Sequence, residues 1–275
     1  MKLKNIFILG LMVLTSFASF AQTQKANPKH INYFKPVSAD TKDVKIDVQD
    51  AVAAELFAKF KLKLTNKSSD YILYKPQESL FKLESGDFVP QDKKTILIQP
   101  LDKESKVIDM KAPAKNAHVD AYTFQLDGLY KIPVNAPASE APNFSIPASS
   151  NDFMVGNFKV EMLSLKKTTA ETNAKFKVTY SGNGMGLVEP KKLGFKIESG
   201  QIYANDKKEG GILLSKGESE TFSATVHIEG KTVDMQFANM TIVWKDTFKD
   251  CQIAKLEGAT LNMVVDPGLT AGKNK

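Results

Sequence analysis

Arginine is absent from the chain, and all 37 basic residues are lysine. Lysine is a point charge on a flexible stem and cannot supply the planar fork that pairs with phosphate or guanine edges in bidentate fashion. No nucleic-acid partner is therefore expected. Cysteine is reduced to Cys251, so no intrachain disulfide can form and stability must come from packed cores. An unpaired cysteine is among the most buried residue types, which makes Cys251 a small core hydrophobe. The three histidines, His30, His118 and His227, show no His-x-x-x-His or His-Glu-x-x-His spacing, and there is no Cys-x-x-Cys. No metal ligand, cofactor site or catalytic residue is assigned on that basis. The single tryptophan, Trp244, follows Ile242 and Val243. It reads as a core or interdomain anchor, with a sugar-stacking platform as the alternative.

A formal charge of +6 would fit an acidic partner, but its distribution removes that inference. Residues 44–132 carry 14 lysines against 13 carboxylates, and residues 153–266 carry 15 against 14. The excess lies in the ends of the chain. Lysines at alternating strand positions are read as a solubilising surface that discourages strand-to-strand association.

The first five residues, Met1-Lys2-Leu3-Lys4-Asn5, precede an apolar run from Ile6 to Leu14 and the small-residue close Ser19-Phe20-Ala21. This is the pattern of a secretory signal over residues 1–21, and the protein is expected to be exported, to the periplasm or outside the cell. No membrane span is expected in the mature chain, because no later segment approaches the roughly 20 apolar residues needed.

What the sequence does have is an internal repeat. Pro76, Phe81, Lys82, Glu84, Ser85, Gly86, Asp92, Lys93 and Lys94 recur 114 residues later as Pro190, Phe195, Lys196, Glu198, Ser199, Gly200, Asp206, Lys207 and Lys208. One spacing over that length means duplicated architecture at domain scale. Phe60, Leu62 and Leu64 alternate with Lys59, Lys61 and Lys63, and Phe176, Val178 and Tyr180 alternate with Lys175, Lys177 and Thr179. Period-two alternation marks half-buried strands. Further strands are expected at Tyr122 to Leu126 and Leu129 to Ile132, matched in the second copy to Val233 to Phe237 and Met240 to Lys245. Asp50 to Ala58 is read as a turn or short helical crossover.

The expected organisation is a signal peptide (1–21), a polar segment (22–43), a first β-sandwich repeat (44–132) and a proline-, alanine- and serine-rich linker (133–152). A second repeat with extra C-terminal strands (153–266) and a disordered tail (267–275) complete it. The four prolines of the linker give it the composition of a semi-rigid strap. Short strands separated by turn residues point to an all-β fold of antiparallel sandwiches.

The signal, the paired repeats and the Phe60-to-Asn66 strand with its counterpart give the chain its likeness. It resembles the tandem immunoglobulin-like β-sandwich domains of exported bacterial proteins, two joined by a proline-rich linker. It lacks the intersheet cysteine pair and packed tryptophan of antibody-type domains. The resemblance implies a fold and no site residue.

Ser181-Gly182-Asn183-Gly184-Met185-Gly186 looks like a phosphate cradle, but no helix pattern follows, and Asn-Gly favours a hairpin turn. The recurring Asp92-Lys93-Lys94 and Asp206-Lys207-Lys208 suit exposed turns. Together with Trp244 they are also the candidate interaction residues. The function expected is non-enzymatic binding or scaffolding at the cell envelope, with an envelope protein or glycan as partner. Carbohydrate adhesion, or a hydrolase or sugar-processing accessory with a site between the repeats, is the alternative.

Overall fold

The computed structural model describes residues 30–112 and 116–275; the expected signal peptide lies outside them. The first series of strands opens with β1 (Asn32–Tyr33), β2 (Val37–Asp40), β3 (Val44–Ala54) and β4 (Phe57–Asn66). It continues through β5 (Tyr71–Tyr74), β6 (Leu80–Leu83), β7 (Gly86–Phe88) and β8 (Ile96–Ile98) to β9 (Lys103–Lys111), β10 (Ala121–Leu126) and β11 (Leu129–Ile132). The second comprises β12 (Phe144–Ile146), β13 (Asp152–Val155), β14 (Phe158–Lys167), β15 (Glu171–Tyr180), β16 (Met185–Val188) and β17 (Gly194–Ile197). It ends with β18 (Ile202–Ala204), β19 (Ile212–Leu214), β20 (Ser219–His227), β21 (Met240–Val243), β22 (Phe248–Cys251), β23 (Ala254–Lys255), β24 (Ala259–Val264) and a short helix, α1 (Pro267–Lys273). The fold is all-β, and its strand pairings are antiparallel.

Two cores form because alternating apolar residues on facing sheets bury the same faces. In the first, the sheet β1-β3-β4-β9 faces β24-β10-β6-β7. Phe60 from one meets Phe124 from the other edge-on with ring centroids 4.8 Å apart. In the second, β13-β14-β15-β20 faces β12-β21-β17-β18 around Phe144, Phe176, Phe222 and Trp244. Each such side chain contributes about 1.5–3 kcal/mol relative to leaving it in water. β2 adds to the first sheet by pairing with β3, and the remaining strands form β23-β11-β5-β8 and β22-β16-β19.

The same succession of pairings occurs twice. β5 lies between β8 and β11 as β16 lies between β19 and β22, and β6 lies between β7 and β10 as β17 lies between β18 and β21. A proline-initiated 3-10 turn precedes β6 at Pro76–Glu78 and β17 at Pro190–Lys192.

Several expectations need correction. Asp50 to Ala58 holds no helical crossover, and its turn is confined to Glu55 and Leu56: β3 bulges between Gln49 and Val52, with Asp50 at φ 54°, and then hairpins into β4. Its alanines reflect close packing, since Ala51, Ala53, Ala54 and Ala58 are all buried. Val233 to Phe237 is not a strand. It lies in the loop after β20, and β21 and β22 take the places opposite β17 and β16 that β10 and β11 take in the first series. The stretch 133–152 is more than a strap, because Phe144 and Ile146 are buried in the second core and β12 pairs with β21. The extra C-terminal strands cover the first core: β24 pairs with β10, and β23 with β11.

Both ends of the described chain are also ordered. The tail expected to be disordered forms α1, where Asp266 caps the helix by accepting from the Leu269 N–H at 2.9 Å and Pro267 occupies the first turn. Asn274 exchanges two hydrogen bonds with Ile31, and Thr270 Oγ1 accepts from the Tyr33 N–H at 3.0 Å. These side chains extend the pairing of β1, which belongs to the stretch read as a polar segment (22–43).

Candidate functional site at the junction of the two cores

A third apolar cluster joins the cores. Tyr71, Leu73 and Ile132 from β5 and β11 pack with Leu187 and Cys251 from β16 and β22. Their partners across the junction arise from equivalent strands, so the two small sheets meet face to face. Cys251 is fully buried there, and burial pushes its thiol up to about 11. It is a packing residue, as expected.

Charge is buried beside this cluster. The Glu189 carboxylate accepts from Tyr71 Oη at 3.1 Å, from Lys249 Nζ at 2.9 Å and from Lys192 Nζ at 2.7 Å. Lys249 also donates to the Val134 carbonyl at 2.6 Å. Burial works against the charge on Glu189, but the hydrogen bonds from Lys192 and Lys249 outweigh it and hold the carboxyl below its ordinary range. Burial, reinforced by the Glu189 charge, raises the Tyr71 hydroxyl. Gly211 permits the approach: a Cβ there would lie 2.8 Å from Tyr71 Oη.

A groove of about 510 Å³ opens alongside this network. Leu73, Lys75, Lys94, Thr95 and Leu97 form one wall, and Met185, the stretch from Glu209 to Leu213, Glu218 and Glu220 form the other. Lysines thus come from the first series and glutamates from the second. Lys75 lies 4.5 Å over the Tyr130 ring and 3.8 Å from Glu78, and Glu218 accepts from the Ser215 N–H at 2.7 Å. Lys94 and Glu220 are exposed, and Glu209 is half-buried. Among the described residues, the strands that border the groove, β8 and β19, each pair on one side only.

Of the sequence candidates, only Lys94 reaches this groove. Asp92 accepts from the Lys94 N–H at 2.7 Å and pairs with Lys106 of β9 at 2.7 Å. The Lys106 and Lys94 hydrogen bonds hold its carboxyl below the usual range. Gln91 donates its N–H to the Asp109 carbonyl on the outer edge of β9. Asp206 does the corresponding work at β20: its N–H donates to the Thr225 carbonyl, and its carboxylate accepts from the His227 N–H at 2.8 Å. The repeated Asp-Lys-Lys turns therefore cap the free edges of β9 and β20, a recognised way of blocking association. Lys93, Lys207 and Lys208 are exposed on those turns. Trp244 is only 5% exposed and packs against Phe153, Phe176 and Phe248, which excludes it as a sugar platform.

Two arrangements were not legible in the sequence. His30 Nδ1 lies 2.8 Å from His118 Nε2 beside a polar cavity lined by Glu84, Ser85 and Asp120. Burial and then the neighbouring His30 lower the basicity of His118. His227 lies between two carboxylates, with Nδ1 2.7 Å from Asp206 and Nε2 2.9 Å from Glu171. Those hydrogen bonds raise its pKa. Among the described residues, no cluster of three or more His, Cys, Asp or Glu side chains is arranged to hold a metal ion. The glycines of the 182–186 loop serve packing: a Cβ on Gly186 would meet the rings of Tyr180 and Phe158 at 2.6 and 2.7 Å.

No family model and no curated protein matches this sequence. The similar solved structures are distant. A tandem carbohydrate-binding module pair of Paenibacillus barcinonensis Xyn10C is 13% identical over 80% of this chain and 93% of its own, with a TM-score of 0.20. The secreted serine protease VesC of Vibrio cholerae is 10% identical over 78% of this chain and 48% of its own, at 0.18. A structure of infectious bursal disease virus is 7% identical over 87% of this chain and 72% of its own, at 0.20. At such scores neither fold nor function transfers. Among the described residues, no helix is long and apolar enough to cross a membrane.

Proposed function

We propose that the chain is an exported, non-enzymatic binding or scaffolding protein of the cell envelope. In this proposal it consists of two immunoglobulin-like sandwiches that arose by duplication and bind a partner at their junction. The amino-terminal pattern of residues 1–21 supports export. The recurrence of one succession of pairings in both series supports duplication. The groove carries the binding proposal, because its walls hold opposite charges and its borders are strands with a free edge.

Two-carboxylate sugar hydrolysis uses carboxyl groups that flank the scissile bond, whereas the glutamates here share one wall and face lysines on the other. Carbohydrate adhesion would need side-by-side exposed aromatics, and Trp244 is in the core. Affinity capture from envelope extracts and a glycan array, each run with the wild type and with Lys94→Glu/Glu220→Lys, test the proposal. A ligand held by the wild type and released by the variant is expected. Recovery of neither a protein nor a glycan would overturn it.

A further inference from the structure

The junction is a pair of equivalent half-sites, one filled and one open. Leu73 pairs with Leu97 and Tyr74 with Ile96, as Leu187 pairs with Leu213 and Val188 with Ile212. That shared register places Tyr71 where the second series has Met185, and Thr95 where it has Gly211. Lys75 likewise takes the place of Glu189. In the filled half, Tyr71 occupies the space over Gly211 and its hydroxyl reaches Glu189. In the open half, the shorter, unbranched Met185 leaves space, and Lys75, Lys94 and Thr95 line it. The chain thus carries its own example of an occupied site: a side chain from a β-strand whose polar end meets the charged residue at the 75/189 position.

Charge and shape then define the missing occupant. At position 75 the charge is positive, and Lys94 adds a second cation on the same wall, so the group entering there is anionic. The opposite wall presents Glu209 and Glu220, which call for a cation. A volume of about 510 Å³ fits a few residues of extended chain rather than a folded domain. No aromatic residue lines the groove, so it offers no stacking platform for a sugar ring. Resting on the binding proposal, we infer that the groove takes an extended peptide segment of a partner protein between the free edges of β8 and β19. An acidic side chain of that segment lies by Lys75 and Lys94, and a basic one lies by Glu209 and Glu220.

Selection of short random displayed peptides on the full chain tests this. Enrichment of segments carrying both an acidic and a basic residue is expected. A synthetic copy of a selected peptide should lose about tenfold or more in affinity on Lys94→Glu, equivalent to about 1.4 kcal/mol or more. Filling the open half with Met185→Tyr/Thr95→Gly, which copies the Tyr71 and Gly211 arrangement, should abolish binding. The exposed Lys94→Glu keeps the test decisive if the double variant folds poorly. Selected peptides of one charge sign, or binding indifferent to Lys94→Glu, would overturn the inference. Glycan binding without any groove-dependent peptide would overturn it while leaving the binding proposal standing. Neither peptide, protein nor glycan binding would remove both.

Discussion

Glu189→Gln tests whether the charge at the junction is held out of water. The glutamate is 2% exposed and the Lys249 side chain 4%, so neither can be rescued by solvent where it stands. Neutralising the carboxylate leaves the Lys249 ammonium with the Val134 carbonyl and an amide oxygen as acceptors. Breaking a buried ion pair from one side costs about 3–5 kcal/mol, and the surviving amide acceptor places this variant near the lower end, about 3 kcal/mol. Lys249→Met should cost less, about 1–3 kcal/mol. Glu189 then keeps Lys192, which is 30% exposed and brings its charge from the rim. The double variant Glu189→Gln/Lys249→Met removes the stranded charge and should be more stable than Glu189→Gln alone. Urea denaturation followed by Trp244 fluorescence measures all three. A loss below about 1 kcal/mol for Glu189→Gln, the size of an exposed pair, would refute the reasoning.

Acid provides an independent check on the same residue. The Glu189 carboxyl is held below its ordinary value of 4.5, so the folded state is the weaker proton binder. Its contribution is complete above the unfolded value and is lost as pH falls through the lower folded value. The stability gap between the wild type and Glu189→Gln should therefore be full near neutrality and should close on acidification below 4.5.

The remaining predictions concern other parts of the fold. His227 is stabilised as a cation by Asp206 and Glu171, so its contribution is full below the ordinary value of 6.5 and is lost as pH rises through the raised folded value. Because the side chain is 58% exposed, His227→Ala should cost about 0.2–1 kcal/mol at acidic pH and less at alkaline pH, measured by thermal melts at the two extremes. Cys251, with its thiol near 11 and no exposure, should react with a thiol reagent only after denaturation; rapid labelling of the native chain would contradict its placement. Leu261→Ala, at the far end of the sequence, should cost about 2–5 kcal/mol. Its loss should appear as faster amide exchange in β6 and β10 of the first core, because Leu261 pairs opposite Phe124, which pairs opposite Phe81.

The parts of this structure legible in sequence are those set by local alternation. Phe60, Leu62 and Leu64 are each 1% exposed, and Phe176, Val178 and Tyr180 are fully buried, as their spacing requires. Alternation alone misled at Val233 to Phe237, where Met235 is buried but Phe237 is 77% exposed and no strand pairs with the segment. At Phe144-Ser145-Ile146 the alternation is only three residues long and is bracketed by Pro142 and Pro147, so it carries little signal. The groove was beyond local pattern altogether. Glu189, just past β16, and Lys249 in β22 look like any other charged residues, and what buries them is the meeting of β5 with β16 and β22. The repeated Asp-Lys-Lys turns were visible, but their work as edge caps depends on which strands end the sheets.

Chain connectivity gives the junction its mechanical meaning. β12 follows β11 but completes the sheet of β21 in the second core, and β24 follows β22 and β23 but completes the sheet of β10 in the first. Even the smaller contacts mirror each other, with Ala138 bridged to Lys249 and Lys255 paired with Tyr130. The first core is therefore closed by a strand that reaches it from the second series, whereas the second core is closed by β12 from the stretch that joins the two. The first core cannot bury Leu261 and Met263 until the end of the chain has returned to it, and α1 then fastens β1 through Thr270 and Asn274. Pairings between residues as distant as Leu126 and Ala259 carry a large loop-closure cost during folding. Once formed, they tie the end of the second series into the sheets of the first. The two walls of the groove are held together by this return of the chain and by the apolar cluster between β5 and β16, which is the rigidity a site assembled from two halves requires.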